Sequence, residues 1–212
     1  PRVVAPVAGR IAGLPRDLHE QALDPVVRRL LRRHPELLAL DPAGEAIVRN
    51  EVVAVDPPAE ALALARAEGF GIGPGRPLDG LGLHVVVLVA PPGMDTAAAL
   101  ARLRALDPAG SYDFNHVYFG SAGGLRGRDT DGAVARVPAQ LRIGLVDSGV
   151  DGRHPALRGT TVRAWGCDGE PVPGEHGTTI ASLLSATTVF SADIYCGKPT
   201  GGNAASFAAA MA

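Results

Sequence analysis

Long apolar runs are missing from this chain of 212 residues. Val85 to Ala90, a run that none exceeds, is far short of the roughly 20 residues that span a bilayer, so no membrane partner is expected. An excess of one charge is missing too. Lysine and arginine total 20 against 22 acidic residues, for a net charge of −2. No global field draws such a chain onto nucleic acid or an anionic surface, and neither is expected as a partner. Lysine is nearly absent, Lys198 standing alone among arginines. With the abundance of Ala, Gly and Pro, this reads as codon composition rather than function. Cysteine is scarce: Cys167 and Cys196 neither require nor exclude an oxidising compartment. The chain opens on Pro1 without a basic, apolar, then small-residue leader, which leaves the compartment open. What is present is 46% hydrophobic and 20% charged residues, enough for one large or two small domains with buried cores.

Residues 1–20 carry Pro1, Pro6, Gly9, Gly13 and Pro15 without periodicity and read as an arm. Asp24 then caps a predicted helix with Pro25 at its first position. Val26, Val27, Leu30 and Leu31 lie on one side, Arg28, Arg29, Arg32 and Arg33 on the other, and Pro35 ends it. The arginines read as a solvated face. Arm and helix together make a first segment, 1–44.

From 45 to 120 the periodicities change in a definite order. Ala46–Val55 reads as a strand, and Asp56-Pro57-Pro58 caps a helix from Ala59 to Glu68 with Leu62 and Leu64 buried and Gly69 as its stop. A turn-rich passage from Gly71 to Gly82 leads to the strongest strand, Leu83–Ala90. Asp95 opens a second helix bearing Ala99, Leu100, Leu103 and Leu106, and Ser111–Phe119 closes as a strand. The order β-α-β-β-α-β predicts an α+β, ferredoxin-like domain with two helices on one face of an antiparallel sheet. Residues 121–140, rich in Gly-Gly and Gly-Arg, read as a linker open to proteolysis. Beyond it, residues 141–212 follow a parallel α/β pattern: strands Leu141–Val146 and Thr161–Trp165, helix Thr178–Ser185, strand Ala192–Tyr195, and an alanine-rich helix from Asn203 that reads as cut short at Ala212.

Two motifs carry the chemistry. In Leu141-Arg-Ile-Gly-Leu-Val-Asp-Ser-Gly a buried strand delivers Asp147 to its carboxyl end, where open α/β sheets gather their catalytic groups. Twenty-nine positions later, Glu175-His-Gly-Thr-Thr sets His176 at a helix start, with Gly177 allowing close backbone passage. In these motifs, their order and their spacing, the chain resembles the subtilisin-like serine proteases. Val150-Asp-Gly-Arg-His-Pro-Ala-Leu157, Ser191-Ala-Asp-Ile-Tyr195 and Gly201-Gly-Asn also resemble that family, and residues 45–120 are similar to its inhibitory propeptide. The resemblance implies a partial subtilisin-like catalytic domain over 141–212. It also implies hydrolysis of peptide or protein substrates, a propeptide acting as intramolecular inhibitor through a tail near 118–124, and a secreted or periplasmic location. His176 is implied as general base and acid and Asp147 as its orienting carboxylate. The family's nucleophile lies in a downstream Gly-Thr-Ser motif, with an asparagine oxyanion donor before it. No Gly-Thr-Ser occurs here, and Ser148, Ser182, Ser185, Ser191 and Ser206 lack that context. The chain alone is therefore expected to be inactive, its partner being the C-terminal remainder of the protease. A different class remains open: a propeptide-like inhibitor or chaperone fused to a degenerate protease remnant.

Thr179 stands where many members carry a second histidine, so no role is transferred to it. The segment from Ala186 to Phe190 offers few oxygen ligands, so no calcium is expected, and no other metal or cofactor is predicted. Asp151 and His154 read as turn and packing residues, and Asn115-His116-Val-Tyr118 as sheet-end hydrogen bonding. Gly71-Ile-Gly-Pro-Gly75 and Gly197-Lys198 fail as nucleotide loops. Cys167, His176 and Cys196 fit no zinc pattern. The cysteines end strands predicted to be adjacent, which leaves a disulfide and two buried thiols both open.

Overall fold

The computed structural model describes residues 25–119, 142–184 and 187–211. The expected arm over 1–20, the Asp24 cap, the 121–140 linker and most of the 118–124 tail lie outside the described residues, as do Leu141, Ser185, Ala186 and Ala212. The chain separates into two compact units, one ending at Val117 and the other beginning at Tyr118.

The first unit runs α1 (Pro25–Arg33), β1 (Leu38–Leu40), β2 (Ala46–Val55), α2 (Ala59–Ala67), β3 (Gly71–Ile72), β4 (Arg76–Leu78), β5 (Leu83–Val89), α3 (Thr96–Leu106) and β6 (Ser111–Tyr118). Its antiparallel sheet has the order β6-β2-β5-β3, with β1 on β2 and β4 on β5. Alternation along β2 and β5 turns Val52, Ala54 and Leu88 toward the helices. There they pack with Ala65 of α2, with Phe70, and with Ala99, Leu100 and Leu103 of α3. Asp95 starts α3 as expected, its carboxylate accepting from the Ala98 N–H at 2.8 Å.

Several expectations change. Leu64 is 48% exposed while Ala61 and Ala65 are buried. Residues 61–65 are apolar throughout, so the sequence defines no single face, and the small alanines let α2 approach the sheet closely. Asp56 does not cap α2, whose N-cap Pro58 makes no side-chain bond. Instead the Asp56 carboxylate accepts from the His84 N–H at 2.7 Å. The expected boundary at 45 falls inside a hairpin, because β1 pairs with β2 and Leu38 is buried. On α1 no residue is fully buried, and Val26 is exposed.

The second unit contains β7 (Ile143–Asp147), a 3-10 turn at Pro155–Leu157, β8 (Thr161–Gly166), α4 (Glu175–Leu183), β9 (Thr188–Asp193) and α5 (Ala204–Ala210). The strands are parallel in the order β7-β9-β8. Successive side chains of the central strand β9 face opposite ways. Val189 packs with Val150, Leu157 and Ala181 of α4, and Ala192 packs with Ile194 and Ala210 of α5. One helix thus covers each face. Among the described residues, β7 and β8 pair within this sheet only with β9, leaving two outer edges.

Boundaries differ from expectation here as well: β7 is Ile143–Asp147 rather than Leu141–Val146, and β8 runs one residue further, to Gly166. Helix α4 starts at Glu175, not Thr178, because Gly177 sits within its first turn. Strand β9 spans Thr188–Asp193 rather than Ala192–Tyr195, because the Asp193 carboxylate captures the N–H groups of Tyr195 and Cys196 at 2.8 and 2.9 Å and turns the chain. Among the described residues no helix is long and apolar enough to cross a membrane.

Candidate active site

Strand β7 ends on Asp147, whose carbonyl accepts from the Ile194 N–H at 3.0 Å. Its carboxylate turns back to accept from the Ser148 N–H at 2.6 Å. Both oxygens then meet the His176 imidazole: Nδ1 lies 2.9 Å from Oδ1 and 2.8 Å from Oδ2. An ionised carboxylate only accepts, so this contact keeps a proton on Nδ1. Nε2 is then the basic nitrogen, on the far side of a ring whose side chain is 38% exposed, against 14% for Asp147.

The segments bearing these two residues are stitched together by short bonds. Ser148 Oγ accepts from the Gly177 N–H at 2.9 Å, the Gly149 carbonyl accepts from the Gly174 N–H at 2.7 Å, and Thr178 Oγ1 accepts from the Asp151 N–H at 3.0 Å. Position 177 has no room for a side chain, since a Cβ there would lie 2.1 Å from the Ser148 carbonyl oxygen. The glycine of the His-Gly motif therefore sets how closely α4 approaches the turn after β7.

Tyr195 follows the end of β9 and, like Val146, packs against the cluster of Ala192, Ile194 and Ala210. Burial, with the nearby Asp147 charge adding to it, raises its phenol above the usual tyrosine value, so the hydroxyl stays protonated at neutral pH. Asp193 is 2% exposed and sits beside Asp147 in the strand register. Asp193 and Ser148 were the residues sequence reasoning missed. A carboxylate inside a strand expected to be apolar on both faces was the available signal.

Cys167 and Cys196 form a disulfide with their Cα atoms 5.4 Å apart. That resolves the open alternatives and leaves neither sulfur as a thiolate ligand, although both lie near the Asp193 carboxylate. The other group with metal-ligating atoms, Asp41, Glu45 and His116, is in the first unit. There His116 Nε2 is 3.2 Å from Asp41 Oδ2 and 3.8 Å from Glu45 Oε2. The second oxygen of Asp41 accepts from the Ala43 and Glu45 N–H groups, so the cluster is a hydrogen-bonded hairpin tip. Asp151 and His154 serve their turn, accepting from the Arg153 and Ala156 N–H groups. Residues 71–75 run through β3 without opening a helix.

No family model, curated protein or solved structure matches the chain. The chemistry is therefore read from the residues themselves. Asp147 and His176 form an oriented base, and among the described residues no hydroxyl is hydrogen-bonded to its Nε2. Ser148 Oγ is engaged by Gly177, Ser182 Oγ donates to the Thr179 carbonyl at 2.6 Å, Ser191 is fully buried, and Ser206 Oγ donates to Asn203 Oδ1 at 3.0 Å.

Proposed function

We propose that this chain carries the Asp–His half of a subtilisin-like serine endopeptidase, preceded by a ferredoxin-like inhibitory propeptide. The observation that supports this most directly is the two-oxygen contact of Asp147 with His176 Nδ1 at 2.8–2.9 Å. It fixes the tautomer and directs Nε2 outward, which is what a general base in acyl transfer needs. The strand order β6-β2-β5-β3 with α2 and α3 on one face supports the propeptide reading, and the parallel sheet with a helix on each face supports the catalytic one. In the reaction, His176 Nε2 takes the proton of a serine hydroxyl as that oxygen attacks the scissile carbonyl. The same nitrogen returns the proton to the leaving amine, while Asp147 stabilises the imidazolium formed between the two steps. The nucleophile and the oxyanion donor belong to a C-terminal remainder of the protease. The location that goes with this reading is secreted or periplasmic.

Casein hydrolysis by the product of the full coding sequence tests the reading, with His176→Ala and Asp147→Asn made in that product. His176→Ala should lower turnover by about 10⁶-fold and Asp147→Asn by about 10⁴-fold, and the 212-residue chain alone should show none. Undiminished hydrolysis in His176→Ala overturns the assignment. A full-length product that lacks a Gly-Thr-Ser motif and only inhibits proteases would establish the binding alternative instead.

A further inference from the structure

The two loops that leave the carboxyl ends of β8 and β9 converge on one carboxylate. Asp193 is 2% exposed, yet among the described residues no cationic side chain pairs with it. Three backbone donors do: Tyr195 and Cys196 N–H on Oδ1 at 2.8 and 2.9 Å, and Val172 N–H on Oδ2 at 2.8 Å. The first two hold the exit of β9. The third reaches across to the extended segment 170–174, which leads directly into α4 and His176.

From Val172 onward the contacts run toward the Asp–His pair. The Val172 carbonyl lies so close to Gly149 that a Cβ there would approach it to 2.4 Å. Pro173 then bridges Gly149 in parallel fashion, and Gly174, the N-cap of α4, donates to the Gly149 carbonyl at 2.7 Å. Two residues beyond that cap is His176. Asp193 is also the register neighbour of Asp147, so one buried anion stands beside Asp147 and tethers the segment delivering its histidine. A buried carboxylate is costly unless its oxygens are filled, and here the groups that fill them belong to the two loops flanking the site.

We propose that Asp193 is a positioning residue: through Val172 it fixes the segment 170–174, and thereby holds His176 Nδ1 on the Asp147 carboxylate. The inference rests on the Asp147–His176 reading above, but it concerns a residue whose carboxylate bonds to Val172, Tyr195 and Cys196 rather than to either member of the pair. Its consequence is specific. Without Asp193 the second unit keeps its sheet, while the imidazole contact loosens.

The test uses the 212-residue chain labelled with ¹⁵N-histidine. In the wild type the His176 Nδ1 proton, held by a carboxylate, gives a resolved far-downfield resonance that disappears in His176→Ala. In Asp193→Asn that resonance is lost, or exchanges with water at least about tenfold faster, while Trp165 fluorescence stays native. Val172→Pro removes the N–H that reaches Oδ2 while leaving the buried carboxylate in place, and should reproduce the effect. Retention of the resonance with wild-type exchange in folded Asp193→Asn or Val172→Pro overturns the proposal and leaves the Asp147–His176 pair standing. A wild type without the resonance overturns the pair itself, and the positioning role with it. If both variants unfold the second unit, Asp193 is a residue of the fold rather than of position, and the proposal is likewise overturned.

Discussion

Opening the Cys167–Cys196 cross-link is the perturbation whose size follows most directly from the structure. The bridge joins residues 29 apart, from the end of β8 to the turn after β9. A loop of that length removes about 12 cal/mol/K of chain entropy from the unfolded ensemble, or about 3.6 kcal/mol at 25 °C. In a unit of this size each kcal/mol corresponds to about 4–8 °C in Tm, so the second unit should melt roughly 15–30 °C lower once the bridge is open. Trp165 is the chain's one tryptophan and lies in β8, two residues before Cys167, partly exposed. Its fluorescence therefore reports on the affected unit. Urea unfolding of the wild type, of the chain with reductant and of the Cys167→Ser/Cys196→Ser variant should give matching losses for the last two. A change below about 1 kcal/mol in both would refute the reasoning, because the hydrogen bonds of Asp193 would then hold the two loops together unaided.

Gly177→Ala places a methyl group 2.1 Å from the Ser148 carbonyl oxygen. Ala favours a helix over Gly by about 1 kcal/mol, but overpacking costs about 1–3 kcal/mol and the bond to Ser148 Oγ is strained as well. A net loss of about 1–2 kcal/mol by Trp165-monitored urea unfolding is expected, and a gain would show that α4 withdraws freely. In the first unit, burial and the hydrogen bond to Asp107 push the Tyr112 phenol up to about 12. A raised folded value holds the proton tighter in the folded state, so this contribution to stability is fully present below about pH 10 and is lost as pH rises toward about 12. Circular-dichroism unfolding at pH 9 and pH 11.5 should show that decline, and Tyr112→Phe should flatten it. An unchanged slope in the variant would assign the decline to other groups.

What the sequence made legible follows from how local each signal was. The ten residues of β2 and the capped helix α3 were readable because a run rich in valine and isoleucine in one and Asp95 followed by apolar residues at three- and four-residue spacing in the other are complete within the element itself. Asp147 and His176 were readable because each sits at a strand or helix end marked by glycine. Failures came where one element's structure depends on another. The inward face of α2 was hidden because Ala61-Leu62-Ala63-Leu64-Ala65 is apolar all round, and the sheet decides which side it meets. Strand β1 was hidden because three residues carry no period; its pairing with β2 makes it a strand.

Asp193 shows the same dependence at the site. As a sequence feature it is one acid in a short apolar run, and its partners Val172, Tyr195 and Cys196 are named only by their backbone N–H groups, which every residue but proline possesses. The lone acid marks the position, but no side-chain pattern betrays the partners that fill its oxygens. The disulfide was only partly legible for a related reason: two strand ends can be inferred to be neighbours, but bridging requires their Cα atoms to come within about 7 Å. Parallel pairing of β8 with β9 meets that condition, in register from Thr161 opposite Thr188 to Gly166 opposite Asp193. A second parallel register, that of β7 on β9, sets Asp193 beside Asp147, so the cross-link on one side and the Asp–His pair on the other are both arranged around the carboxyl end of the central strand β9.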